Sequence, residues 1–240
     1  MKLKRLIIFF VIALLPASTA LAAKGKFEGY KKCGGCHKSQ KDSWLDTAHA
    51  KAFESLKPNV EVDAKKKAKL DPVKDYTQEK DCVGCHTIGF GEKGGYTVGM
   101  TENKAKFLFG VGCEDCHGPG SLYRKEHSKA GDQFKKTQKA TERKALVEAG
   151  ENFDYEAACA RCHLNYEGSP WAGAKAPYTP FTPKVDAKYK FDFEKGVRNN
   201  KAMHEHFKLK GVFDGEPVVK MRAEFQKTAK DPAAGEEEEE

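Results

Sequence analysis

The chain is poor in what a protein of its length uses to build a core. After Ala22 no apolar run is long enough to span a bilayer, and aliphatic stretches are few and short. The 240 residues hold only two tryptophans and four methionines, against 32% charged residues. A domain of this size normally buries a larger aliphatic interior, so some other body supplies apolar volume. The chain also lacks a cysteine outside a paired motif. That excludes a stray redox thiol and leaves the cysteines to be read as one set. A strong charge of either sign is missing as well, so nothing points to nucleic acid.

The exception to the polar character is the start, MKLKRLIIFFVIALLPASTALA. Lys2, Lys4 and Arg5 precede the apolar run Leu6 to Leu15, and Ala20-Leu21-Ala22 has the small-x-small pattern of a cleavage site. Residues 1–22 are expected to be a cleaved secretory signal peptide, which places the mature chain in the periplasm, soluble and not transmembrane. Cleavage leaves 218 residues and lowers the formal charge from +7 to +4. Residues 23–230 are expected to form one domain. Residues 231–240, ending in Glu236 to Glu240, are expected to be an acidic, disordered tail.

All eight cysteines fall into four copies of C-x-x-C-H: Cys33-Cys36-His37, Cys82-Cys85-His86, Cys113-Cys116-His117 and Cys159-Cys162-His163. This is the c-type haem attachment signature. Two thiols add across the two vinyl groups of one porphyrin, and the adjacent histidine coordinates iron from the same side. Four disulfides leave the four histidines unexplained. Zinc sites built on C-x-x-C pairs do not require a histidine after each one. The motif starts are 49, 31 and 46 residues apart, so the chain is not a regular repeat array. Four haem c groups in this length of chain would form much of the core. With ionised propionates and neutral axial ligands, four ferric haems bring the charge of +4 close to zero.

Eight histidines are present, and four belong to the motifs. His49, His127, His204 and His206 remain as candidate distal ligands. His49 lies in SQKDSWLDTAHAKAFESLK, where Trp44, Leu45, Ala48, Ala52, Phe53 and Leu56 follow helical spacing. It reads either as a core histidine or as a ligand, and a haem-filled core favours ligation. His127 stands in a polar stretch that reads equally as an exposed loop. His204 and His206 lie in a segment read as a helix ending near Gly211, where residues two apart point about 200° away from each other. Only one of them then faces a given haem. That leaves three distal histidines for four irons, and one haem with an open distal face. Met100, Met203 and Met221 are thioether candidates that no local pattern singles out.

The segments FEGYKKCGGCHKSQ, SWLDTAHAKAFESLKPNV, AKLDPVKDYTQEKDCVGCH, GVGCEDCHGPG, CHLNYEGSPWAGAKAPYTPFTPKVDAKY and KAMHEHFKLKGVFDGEP resemble the cytochrome c-554 family. These are tetrahaem periplasmic cytochromes of ammonia-oxidising bacteria. Tyr96 to Gly110 and the Glu-rich tail match less well. The resemblance implies a mainly α multihaem cytochrome c fold with four closely packed haems, and a monomer is expected. It implies that His127 completes the first haem, His49 the third and His204 the fourth. The second haem, on Cys82, Cys85 and His86, would be five-coordinate, with Thr179 and Phe181 near its open face. It further implies hydroxylamine oxidoreductase as electron donor and a membrane-bound c-type cytochrome, leading to the quinone pool, as acceptor. A nitric oxide reductase activity at the open haem is the alternative. A gas sensor would need an output domain, and no C-x-x-C-K motif of the pentahaem nitrite reductases occurs.

Overall fold

The computed structural model describes residues 25–233. The expected signal peptide, residues 1–22, and Glu236 to Glu240 lie outside the described residues. The fold is mainly α, as expected, with 39% helix and 4% strand. Among the described residues no helix is long and apolar enough to cross a membrane.

Most helices are short, and the C-x-x-C-H motifs sit at their ends. The second, third and fourth motifs close the helices Lys80–His86, Cys113–His117 and Tyr155–His163. The first begins at the end of Tyr30–Cys33 and turns into Lys38–Leu45. The helix before the fourth motif starts where the Asp154 carboxylate accepts a hydrogen bond from Ala157 N at 3.0 Å, which satisfies one free amide of the first turn. The longest helix is Tyr123–Thr137. It carries His127, which is therefore a helical residue rather than a loop one. The only sheet among the described residues pairs Thr141–Glu142 with Phe213–Asp214 in parallel.

Two small apolar clusters stand in for one large core. The first gathers Phe53, Val83, Ile88, Tyr96 and Leu108, with Cys82 and Met100 packed against it. The second gathers Tyr123, Leu146, Val212 and Phe213. The carboxylate of Glu114, 1% exposed, joins distant parts of the chain. It accepts hydrogen bonds from Glu28 N at 2.9 Å, Gly29 N at 2.7 Å and Gly120 N at 2.7 Å. Burial pushes its carboxyl up, and these backbone donors pull it back.

Two local readings are corrected. The helix expected across His49 stops at Leu45. The Thr47 hydroxyl donates to Trp44 O at 2.7 Å and accepts from Ala50 N at 3.2 Å, which closes a turn in place of another helical turn. His49 thus lies in a turn that precedes the short 3-10 helix Phe53–Leu56. Likewise, the helix expected to run to Gly211 is confined to Phe193–Gly196. Residues 204–210 are non-helical because their backbone finds partners elsewhere: Lys230 N donates to His206 O, and Lys208 N to Lys230 O, each at 2.9 Å.

The turn at His49 depends on one glycine. Gly110 has φ +82°, and a Cβ there would lie 2.6 Å from Ala50 O and 2.8 Å from His49 O. Gly110→Ala is expected to cost about 1–2 kcal/mol from the left-handed backbone alone, with the clash added. Guanidinium unfolding would show it, and an unchanged midpoint would mean that the turn yields freely.

Candidate functional site

The four motifs are brought together, in an order that differs from the sequence. The helices Tyr30–Cys33 and Cys113–His117 pack against each other, and the closeness of Cys113 raises the Cys33 pKa. Cys85 and Cys162 are close enough to act on each other, which lowers the pKa of the one and raises that of the other. Burial pushes Cys116 up to about 12, with the charge of Cys159 adding to it. The spatial sequence of motifs is therefore first, third, fourth, second. Arg161 reinforces the middle link by donating from Nη2 to Asp115 O at 2.5 Å.

A cavity of about 360 Å³ runs between these elements, within the range that takes a sizeable organic ligand. Cys33, Cys113, Cys159, His49, His127 and His204 are among its lining residues. The second motif is set apart, with Cys82 and Val83 against the first apolar cluster.

Two pairs of histidine rings face each other. The His37 and His127 rings have centroids 6.3 Å apart, and those of His49 and His163 are 6.1 Å apart. Two metal–nitrogen bonds of about 2 Å each, together with the two ring radii, add to roughly the same separation. A single iron fits between each pair. The first pair sets His127 opposite the histidine of the first motif. The second corrects an expectation: His49 faces the histidine of the fourth motif, not of the third. His204 instead lines the cavity together with His117. Sequence order carries no information on which distal histidine reaches which motif, and the turn at Thr47 sends His49 to the fourth.

The geometric argument against His206 is corrected too. In non-helical, extended backbone, residues two apart fall on the same side. The His204 and His206 rings lie 5.5 Å apart, and both line the cavity. His206 stacks on Phe225 at 4.0 Å with 12° between planes. His204 is distinguished by its Nδ1, which is held by Glu205 O at 2.7 Å and leaves Nε2 available.

Electrostatics suit metal binding. Burial lowers the pKa values of His86, His117, His163 and His204, and it pushes His37, His49 and His206 down to about 4. Neutral imidazoles offer a lone pair. Several are oriented through their second nitrogen, as metal-ligating histidines are. His86 Nδ1 lies 2.6 Å from Ala52 O and 3.2 Å from Ser55 Oγ. His117 Nδ1 lies 3.3 Å from Tyr155 Oη. His127 has Nε2 at 3.1 Å from Glu151 Oε2, so Nδ1 is the nitrogen it offers. The residues fit covalently held haem.

No histidine ring packs against His86 among the described residues. The loop holding Thr179 and Phe181 is ordered by its own contacts. Thr179 N donates to Asn165 O at 2.9 Å, and Phe181 packs edge-on against Tyr189 at 5.4 Å. Sequence reasoning missed Glu151 and Tyr155, which touch candidate ligands without belonging to any motif.

Three similarities place the chain. Residues 32–118 match the family described as cytochrome c554 and c-prime. Cytochrome c-554 of Nitrosomonas europaea is 61% identical over 221 residues, covering 92% of this chain and 93% of that protein. The solved reduced state of cytochrome c554 from Nitrosomonas europaea superposes with a TM-score of 0.84 at 62% identity, covering 87% of this chain and 99% of the other. The chain belongs to the cytochrome c-554 family and is a c-type cytochrome, an electron carrier on covalent haem.

Proposed function

We propose that the chain is a periplasmic tetrahaem carrier that takes electrons from hydroxylamine oxidoreductase and passes them toward a membrane-bound c-type cytochrome and the quinone pool. The observation that carries this reading is the close packing of the motifs: the helix Cys113–His117 packs against both Tyr30–Cys33 and Tyr155–His163, Arg161 donates to Asp115 O, and Cys162 lies near Cys85. Attachment sites in contact hold their haems within tunnelling distance, so no substrate need bind between them. Haem iron supplies the one-electron ferric–ferrous couple.

In this reading Cys33 and Cys36, Cys82 and Cys85, Cys113 and Cys116, and Cys159 and Cys162 each fix one haem. His37 with His127, His117 with His204, and His163 with His49 hold three irons, while His86 holds the fourth iron from one side only. The exposed Cys36 sits at one end of the line and the second motif at the other. Pairs of neutral imidazoles change little on reduction, which suits fast transfer. Partner docking is expected to be weak and steered by charge.

Mass spectrometry of the periplasmic protein is expected to show four haems per chain and cleavage after Ala22. Low-temperature EPR is expected to show one high-spin ferric haem beside three low-spin ones. Stopped-flow mixing with reduced hydroxylamine oxidoreductase should reduce the haems, and no reduction would sink the donor assignment. A second reading, nitric oxide reduction at the second haem, draws support from the absence of a ring opposite His86. Rapid multi-electron oxidation of the reduced protein by nitric oxide would favour it over a pure carrier.

A further inference from the structure

Glu151 stands where two sites meet. Its Oε2 is 3.1 Å from His127 Nε2, and its Oε1 is 3.9 Å from His117 Nδ1. His127 belongs to the first haem site and His117 to the third. The Glu151 side chain is 9% exposed, so water screens its charge little.

Its position is fixed from both sides. Glu151 N donates to Leu146 O at 2.9 Å. The next residue, Asn152, is stapled to the third motif: its N donates to His117 O at 2.8 Å, and its Nδ2 to Cys116 O at 2.7 Å. The preceding Gly150 has φ +96°, a backbone suited to glycine, and its carbonyl closely approaches Gly118. The loop thus clamps the carboxylate against the helix Cys113–His117 and aims it at the helix Tyr123–Thr137.

We infer that Glu151 is a positioning residue shared by two haem sites, orienting His127 through its Nε2–H and lowering the reduction potentials of the first and third haems together. The inference rests on the tetrahaem reading above. A carboxylate that accepts an imidazole N–H makes the other nitrogen a stronger donor, and this favours the ferric state. At 3.9 Å its effect on His117 is that of a nearby negative charge, while the Tyr155 hydroxyl is the closer polar neighbour of that nitrogen. One side chain then keeps two neighbouring haems in step, so that an electron finds no large potential step between them.

The test is an EPR-monitored redox titration of the four-haem protein and its variants. In Glu151→Gln the ferric-to-ferrous ratio of both the first and third haems is expected to fall about tenfold at a given potential, a rise of about 59 mV for each one-electron couple. The second and fourth haems should stay in place. Tyr155→Phe should move the third haem alone. Glu151→Asp keeps the charge but draws it back, and should shift the first haem less than the amide does. Unmoved potentials in a variant with all four haems, or movement of one haem only, or of all four alike, would overturn the shared role. Fewer than four haems in the parent protein would instead overturn the tetrahaem reading.

Discussion

His49→Ala is expected to turn the haem on Cys159 and Cys162 from low spin to high spin. The 6.1 Å separation of the His49 and His163 rings fits one iron between them, and burial keeps both imidazoles neutral. Removing one donor leaves that iron five-coordinate and raises its potential, because axial ligation is the strongest lever a protein has on haem. The ferric protein would then show two high-spin and two low-spin haems. Added imidazole should restore the lost low-spin signal in the cavity left by the side chain. NMR of the haem methyls, assigned through the thioether bridges, identifies which haem has changed. A change at the third motif would mean that the two facing rings are not a ligand pair. His204→Ala should produce the third-motif change instead, and His206→Ala should leave all four spin states alone.

Glu114→Ala is expected to be the most destabilising single substitution apart from the motif cysteines and histidines themselves. The carboxylate takes three backbone amides, from Glu28, Gly29 and Gly120, in a site 1% exposed. Each buried donor left without a partner costs about 1–3 kcal/mol, so for three donors a loss of about 3–9 kcal/mol is expected. The loss falls where the first motif meets the third, since Glu114 follows Cys113 directly and the segment at Glu28 leads into Cys33. Glu114→Gln keeps the shape but turns an NH2 toward one donor, and should lose roughly half as much. Guanidinium unfolding followed at the Soret band measures both. A loss under about 1 kcal/mol for the alanine variant would show that water reaches these amides once the side chain is gone.

The attachment motifs were legible in the sequence because their chemistry is local. Two thiols and an imidazole must meet one porphyrin, so five consecutive residues carry the whole requirement. The mainly α fold and the candidate status of His49 and His127 were legible for similar reasons. Which distal histidine meets which motif was not. That depends on a turn made by the Thr47 hydroxyl and on a backbone held by Gly110, and neither leaves a periodic trace. The segment around His204 and His206 misled for a related reason. Its composition suits a helix, yet Lys208 and His206 spend their backbone groups on Lys230. Glu151 had no signal at all: it is one acidic residue among 35, and only the fold brings it between His117 and His127.

The order in which the motifs touch has a consequence for how the molecule is made. Synthesis runs from the N-terminus, so the first two motifs are available together, before the other two. They are nevertheless the two ends of the spatial line. The first acquires its neighbour only when Cys113 arrives, and the second only when Cys162 arrives. The early half of the chain therefore has the apolar cluster around Cys82 and Val83 to fold around, but no two motifs that are neighbours. The fourth motif, last to appear, touches both the third and the second, and its arrival closes the assembly. A chain truncated before Cys159 would strand the second motif entirely, however faithfully its own residues had been processed.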